Sequence, residues 1–373
     1  MSQNRKKKKF SFPVTTLVGS LPLNFIRVCR KHQIESKYYF KTVLSFLASS
    51  VLGLFAFWEV IRWSRKIRKT EPKEPPVFII GFWRSGTTLL HNLLCQDPNA
   101  SYVTTFHTVF PHLVLSHNWL KMIADWLLPE ERPFDNYSWS MDSPQEEEFA
   151  LTSLQSNSYY NFYLFPNDYD EIYKKEFYTE NLSPVHKQIW KRQYKKLIQK
   201  AIVNIGGERY IGKNPCSLTR ISVLKEMYPD AKFIFIYRNP YKVVESLYGF
   251  IYSIFPGVQL QTPTGIPDRN RMVALYCETM RHYFKVRSEI DSSNLIEFAY
   301  EDMCRDIPGT VQEIYSKLQL RGFEQALPRI TSYLNNHGTN DRKPLVIPLE
   351  TYQLLNQHAS DIFHELGYQM EEK

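Results

Sequence analysis

The chain has 373 residues, 43% of them hydrophobic and 15% aromatic, which is enough apolar surface for a large buried core and excludes a disordered protein. The net charge of +8 is unevenly spread: residues 1–75 carry 16 Lys and Arg against 4 Asp and Glu, and the remainder carries 30 against 34. The body of the chain is therefore slightly acidic, which argues against a nucleic-acid binder.

The N-terminal region reads as a membrane-contacting device. A basic run, Arg5 to Lys9, precedes a charge-free stretch from Thr42 to Trp58, and Arg62, Arg65, Lys66, Arg68 and Lys69 follow it. Those 17 uncharged residues sit at the lower limit for a spanning helix, which needs ~20. Basic clusters on both sides suit an interfacial helix on anionic lipid, orient a span only weakly, and leave a buried helix of a soluble cap as the plain alternative. The apolar run begins too far from Met1 for a cleaved signal peptide. The charged, Pro-rich segment Lys69 to Pro76 reads as a linker, dividing the chain into an N-terminal region, 1–75, and a catalytic domain, 76–373. A cytoplasm-facing catalytic domain is expected, with a single-span Golgi-type arrangement as the alternative.

Beyond the linker the pattern is α/β. Val77 to Ile80 is a short apolar run bounded by Pro-Pro and Gly, as in a buried parallel strand, and Thr87 to Leu94 continues at helical spacing. An amphipathic helix is predicted over Lys187 to Ile205, then a strand at Arg209 to Gly212, a helix around Leu218 to Tyr228 and a strand at Lys232 to Tyr237. A helix from Tyr241, a strand at Leu295 to Ala299 and a helix opened by Pro308 complete the alternation. The expected fold is a three-layer α/β domain around a central parallel sheet.

Cys29, Cys95, Cys216, Cys277 and Cys304 contain no C-x-x-C pair and are odd in number, so they read as reduced thiols, and no metal site is expected. Triplets at Asn99, Asn136 and Asn181 fit the N-glycosylation pattern, a match that chance readily produces.

The chemistry is concentrated in Gly81-Phe-Trp-Arg-Ser-Gly-Thr-Thr88. A glycine-bounded turn between a buried strand and a helix N-terminus presents backbone N–H groups and the positive end of the helix dipole to an anion. The Gly81 to Gly86 spacing is that of a Walker loop, yet the Walker lysine position holds Thr87 and the cation has moved to Arg84. Arg84, with the hydroxyls of Ser85, Thr87 and Thr88 and the backbone at Gly86, suits a phosphosulfate better than a magnesium triphosphate. A second signal is Arg238-Asn-Pro-Tyr-Lys-Val-Val-Glu-Ser246, set around a strand-to-helix turn.

The Arg-Ser-Gly-Thr-Thr loop resembles the phosphosulfate loop of sulfotransferases that use 3'-phosphoadenosine-5'-phosphosulfate (PAPS). Lys213-Asn-Pro, Pro229-Asp-Ala-Lys-Phe, Tyr300-Glu-Asp-Met and His364-Glu-Leu-Gly-Tyr368 extend the resemblance to the bacterial-type family over most of the globular chain. The resemblance implies a P-loop-like α/β fold with a central parallel sheet, that Arg238 and Ser246 hold the 3'-phosphate, and that sulfuryl transfer proceeds in line without a metal, with adenosine 3',5'-bisphosphate as product. Arg84 and Lys213 are candidates for stabilising the leaving phosphate. Two candidate general bases remain open: His107, and the cluster Glu146, Glu147 and Glu148, whose three directions on a helix let one or two face the site and leave the others to solvent. Aromatics between Asn118 and Tyr178 suit an apolar or sugar acceptor as well as they suit core packing; with the N-terminal segment they favour a hydroxylated, lipid-like acceptor. The competing readings are a P-loop kinase or nucleotidase, and an inactive nucleotide-binding membrane scaffold.

Overall fold

The computed structural model describes residues 14–128, 139–265, 267–337 and 345–373. The basic run Arg5 to Lys9 and the triplet at Asn136 lie outside them. In chain order the elements are α1 (Pro22–Lys31), α2 (Tyr39–Lys69), β1 (Val77–Ile80), α3 (Thr87–Leu94), β2 (Ala100–Ser101), α4 (Thr105–Val109), α5 (Asn118–Leu127), α6 (Glu147–Leu154) and α7 (Tyr169–Ile172). Next come α8 (Pro184–Ile205), β3 (Arg209–Lys213), α9 (Ile221–Met227), β4 (Lys232–Tyr237), α10 (Pro240–Val258), α11 (Arg269–Val286), β5 (Leu295–Ala299), α12 (Tyr300–Arg305) and α13 (Ile307–Lys317). Three more helices, Phe323–His337, Leu349–His358 and Ser360–Glu365, follow.

The strands pair in the order β2-β3-β1-β4-β5, every pair parallel. Each strand side chain alternates between faces, so Phe78, Ile80, Phe233 and Phe235 enter one core while Val77, Ile79, Ile234 and Ile236 enter another. Both faces are covered by helices, which is why these strands read as unbroken apolar runs. The helix after β1 places Leu89, Leu90, Leu93 and Leu94 in the second core, whereas the helix after β4 places Val243, Val244 and Leu247 in the first. The two therefore leave neighbouring strands on opposite faces, which makes the C-terminal ends of β1 and β4 a topological switch point, the position where such sheets bind ligands.

The helix predicted from Lys187 starts three residues earlier, because Ser183 caps it by accepting from His186 N–H and Pro184 takes the first turn without a missing donor. The short edge strand β2 carries no sequence pattern of its own.

The N-terminal helices pack on the α/β body. Leu17, Phe25 and Val28 join the core that contains Phe78. The charge-free run 42–58 lies inside a helix of 31 residues, since lysines and arginines continue a helix readily once it is started. Segment Ser36–Lys69 is long and apolar enough to cross a membrane by length and composition. One face of α2 nevertheless turns inward: Ser45 accepts from Thr15 N–H at 2.7 Å, Ser49 donates to Ser20 O at 2.5 Å, and buried Glu59 pairs with Lys200 at 2.5 Å.

Candidate active site

The loop after β1 closes by a bond from Ser85 N–H to Phe82 O at 3.2 Å, then enters α3 at Gly86. Gly86 has φ of 96°, and a Cβ there would lie 2.1 Å from the Tyr300 ring, so both its conformation and its neighbour require glycine. Arg84 also adopts positive φ, 68°, an uncommon conformation for a side-chain-bearing residue and one typical of functional turns. Ser85 and Thr87 are buried and Thr88 is half-buried at the helix start.

The turn after β4 meets this loop. Arg84 Nε donates to Ser246 Oγ at 2.9 Å, and its guanidinium lies over the Phe250 ring at 4.9 Å. Arg238 Nη1 reaches the Arg84 carbonyl at 3.5 Å and its guanidinium covers the Tyr300 ring at 4.6 Å, with Glu301 3.9 Å from Nε. Tyr368 donates to Glu301 at 2.7 Å, so the Tyr300-Glu-Asp-Met motif and the C-terminal Tyr368 meet beside the loop. The structure thus joins Arg84 to Arg238 and Ser246, more than 150 positions further along the chain. The Nε of Arg238 is buried and makes no hydrogen bond, with the Glu301 carboxylate 3.9 Å away, in a site of arginine, hydroxyls and a helix N-terminus whose chemistry suits an anion.

Lys213, at the end of β3, and Glu146, immediately before α6, form the other half. Lys213 Nζ donates to Glu146 Oε1 at 2.6 Å, Tyr160 donates to Glu146 Oε2, and Trp83 of the loop donates through Nε1 to Tyr160 Oη at 2.9 Å. One hydrogen-bonded chain therefore runs from the anion loop to a lysine–carboxylate pair. Lys213 is nearly enclosed, while the Glu146 side chain is 16% exposed.

Glu147 and Glu148 point elsewhere, and neither is solvated as the sequence led one to expect. Glu147 turns under the sheet, where Tyr210 donates to Oε1 at 2.9 Å and Tyr194 at 3.2 Å, while Oε2 has no partner. Burial pushes its carboxyl up to about 7. Gly212 makes the space, since a Cβ there would lie 2.3 Å from Glu147 Oε1. Glu148 receives Arg220 at 2.5 and 3.2 Å, Asn214 at 3.1 Å and Ser158 at 2.8 Å. Burial opposes its charge, but Arg220 and these donors outweigh it and hold the carboxyl below its ordinary range. Both side chains tie the first turn of α6, next to Glu146, into the core.

His107 is also drawn into the framework. It is fully buried and closes a capping box at the start of α4, its Nδ1 2.8 Å from Thr104 Oγ1 and 3.2 Å from Thr104 N. Burial, reinforced by the Lys200 charge, lowers its pKa to about 3, and its partners belong neither to the loop nor to the Lys213–Glu146 pair. Trp83 and Tyr300 lie inside motifs legible in the sequence but carry no signal of their own there, and Tyr160, one of the aromatics between Asn118 and Tyr178, instead bridges the loop to Glu146.

The loop, the sheet switch point and the lysine–carboxylate pair define a P-loop-like group-transfer enzyme without the Walker lysine. A family model described as the sulfotransferase family matches residues 75–325. The omega-hydroxy-beta-dihydromenaquinone-9 sulfotransferases Stf3 of Mycobacterium bovis and of Mycobacterium tuberculosis are each 33% identical over 339 residues, covering 90% of this chain and 85% of theirs. The chain belongs to the sulfotransferase family. Its fold is shared with the crystal structure of sulfotransferase STF9 from Mycobacterium avium, with a TM-score of 0.71 at 18% identity over 94% of this chain and 91% of that one. The crystal structure of sulfotransferase STF1 from Mycobacterium tuberculosis gives 0.61 at 17% identity, over 91% of each.

Proposed function

We propose that this sulfotransferase transfers a sulfuryl group from PAPS to a hydroxyl of an amphipathic, lipid-like acceptor. The observation that carries the reading is the hydrogen-bonded chain Trp83–Tyr160–Glu146–Lys213, which begins in the anion loop and ends in a base and a cation side by side. The residues present fit PAPS: Arg84, Ser85, Gly86, Thr87 and Thr88 form the cradle for the 5'-phosphosulfate, and Arg238 with Ser246 forms the subsite for the 3'-phosphate. In this reading Lys213 shifts from Glu146 to the leaving phosphate oxygen, and the freed Glu146 carboxylate takes the proton of the acceptor hydroxyl. The acceptor oxygen–sulfur bond forms as the sulfur–phosphate oxygen bond breaks, and adenosine 3',5'-bisphosphate leaves. No step requires a metal. His107, neutral and tied into a helix cap, serves as framework, and the 76–373 unit serves as the catalytic body with the N-terminal helices packed against it.

The acceptor class rests on the Stf3 relatives, whose name specifies a hydroxylated menaquinone, and on the apolar α2. The test is incubation with sulfur-labelled PAPS and a total lipid extract, followed by identification of the labelled product. A labelled lipid alcohol is expected, and Arg238→Ala weakens adenosine 3',5'-bisphosphate binding roughly 10–100-fold. Label only in water-soluble acceptors, or unchanged nucleotide affinity in the variant, overturns the corresponding half of the reading.

A further inference from the structure

We infer that α2 and α5 together form an in-plane docking surface for an anionic lipid bilayer, and that α2 lies on the membrane instead of crossing it. On α2, Phe40, Leu47, Leu54 and Trp58 are 80%, 57%, 76% and 56% exposed. They recur at helical spacing along a single stripe of ~27 Å, from the ~1.5 Å rise per residue. On α5, Met122 and Trp126 are 72% and 83% exposed. The two helices are one surface: the Phe55 ring lies 5.9 Å from that of Trp119 and 5.5 Å from that of His117, and Leu115 N–H donates to Glu59 of α2 at 2.8 Å. An apolar face of this extent, exposed to water, marks an interaction site.

Charge identifies the partner. The stripe runs directly into the exposed Arg62, Arg65, Lys66, Arg68 and Lys69, and exposed Arg27 and Arg30 stand on the adjoining α1. Apolar side chains with tryptophans, bordered by lysines and arginines, match the acyl boundary and the phosphate layer of an anionic membrane. A second protein copy with the same basic border would meet it with like charge.

The mode of contact follows from the opposite face of α2. Glu59 is 1% exposed and pairs with Lys200 of α8, which also donates to Pro111 O at 2.7 Å. For α2 to cross the bilayer it would have to leave the body, stripping two buried charges of their partners. Pinned in this way, the helix can bury only its outer stripe. The docking surface does not rest on the function proposed above.

The test is flotation of the full chain with vesicles of phosphatidylcholine, with and without about 30% phosphatidylglycerol. Binding is expected to be at least about tenfold stronger to the anionic vesicles, to fall at least about tenfold in the Met122→Asp/Trp126→Asp double variant, and to be released by alkaline carbonate. The Leu54→Asp variant repeats the test on α2. Adenosine 3',5'-bisphosphate binding, measured alongside, reports folding of each variant and stays unchanged, so that a failure of docking is distinguishable from a failure of the sulfotransferase reading. Resistance to carbonate extraction, undiminished vesicle binding in folded variants, or self-association without lipid that the substitutions abolish would each overturn the inference.

Discussion

Glu147 offers a quantitative check on the framework next to Glu146. Its carboxyl is fully buried against Tyr194 and Tyr210 and titrates at about 7 in the folded protein, against an ordinary 4.5. The difference corresponds to about 3 kcal/mol. Between these values the unfolded chain releases the proton and the folded chain keeps it, so this group's contribution to stability is lost as pH rises from about 4.5 to about 7 and is flat above. The substitution Glu147→Gln puts an amide in place of the protonated carboxyl and mimics it at every pH. His107 and His112 act in the opposite sense: each is held down to about 3, so the unfolded chain binds their protons first as pH falls, and stability rises with pH between about 3 and 6.5. Comparing wild type with Glu147→Gln cancels the histidines. Urea denaturation across pH 4.5 to about 8 should find the two proteins similar at the acid end and the variant more stable by up to about 3 kcal/mol at the basic end. A difference that stays constant across the range refutes the assignment of a protonated, buried Glu147.

Two other expectations separate framework from chemistry. Glu148→Ala strands Arg220, itself only 2% exposed, and should lower stability by about 3–5 kcal/mol, read as a large fall in melting temperature. Glu146→Gln and Lys213→Met should each reduce kcat by roughly 100-fold or more with adenosine 3',5'-bisphosphate affinity unchanged; a variant that loses nucleotide binding instead would move its residue from the transfer step to the nucleotide site.

Much of the fold was legible along the chain because it is built from local signals. Buried parallel strands must be short apolar runs, so β1, β4 and β5 were found to the residue, whereas α8 begins three residues before the predicted Lys187, where Ser183 caps it and Pro184 takes the first turn. The loop Gly81 to Thr88 was equally visible, since a phosphate-type turn needs its glycines, cation and hydroxyls within one strand-to-helix connection. The β2 strand was invisible because two residues carry no period.

Other parts of the site were decided only by tertiary structure. Glu146, Glu147 and Glu148 are chemically identical neighbours, and no local rule distinguishes them. Three different partners do: Lys213 at the end of β3, the tyrosines Tyr194 and Tyr210, and Arg220 before α9. His107 likewise looked reactive in sequence and became a helix cap once burial removed its charge. The apolar run 42–58 carried the same ambiguity between spanning and lying flat, and the feature that bears on it, Glu59 held by Lys200, joins residues 141 positions apart. The sequence by itself determined where the strands run and where the glycine-bounded loop sits, because those depend on neighbours along the chain. Which carboxylate meets the loop, and which face of α2 stays exposed, depended on groups that only folding brings together.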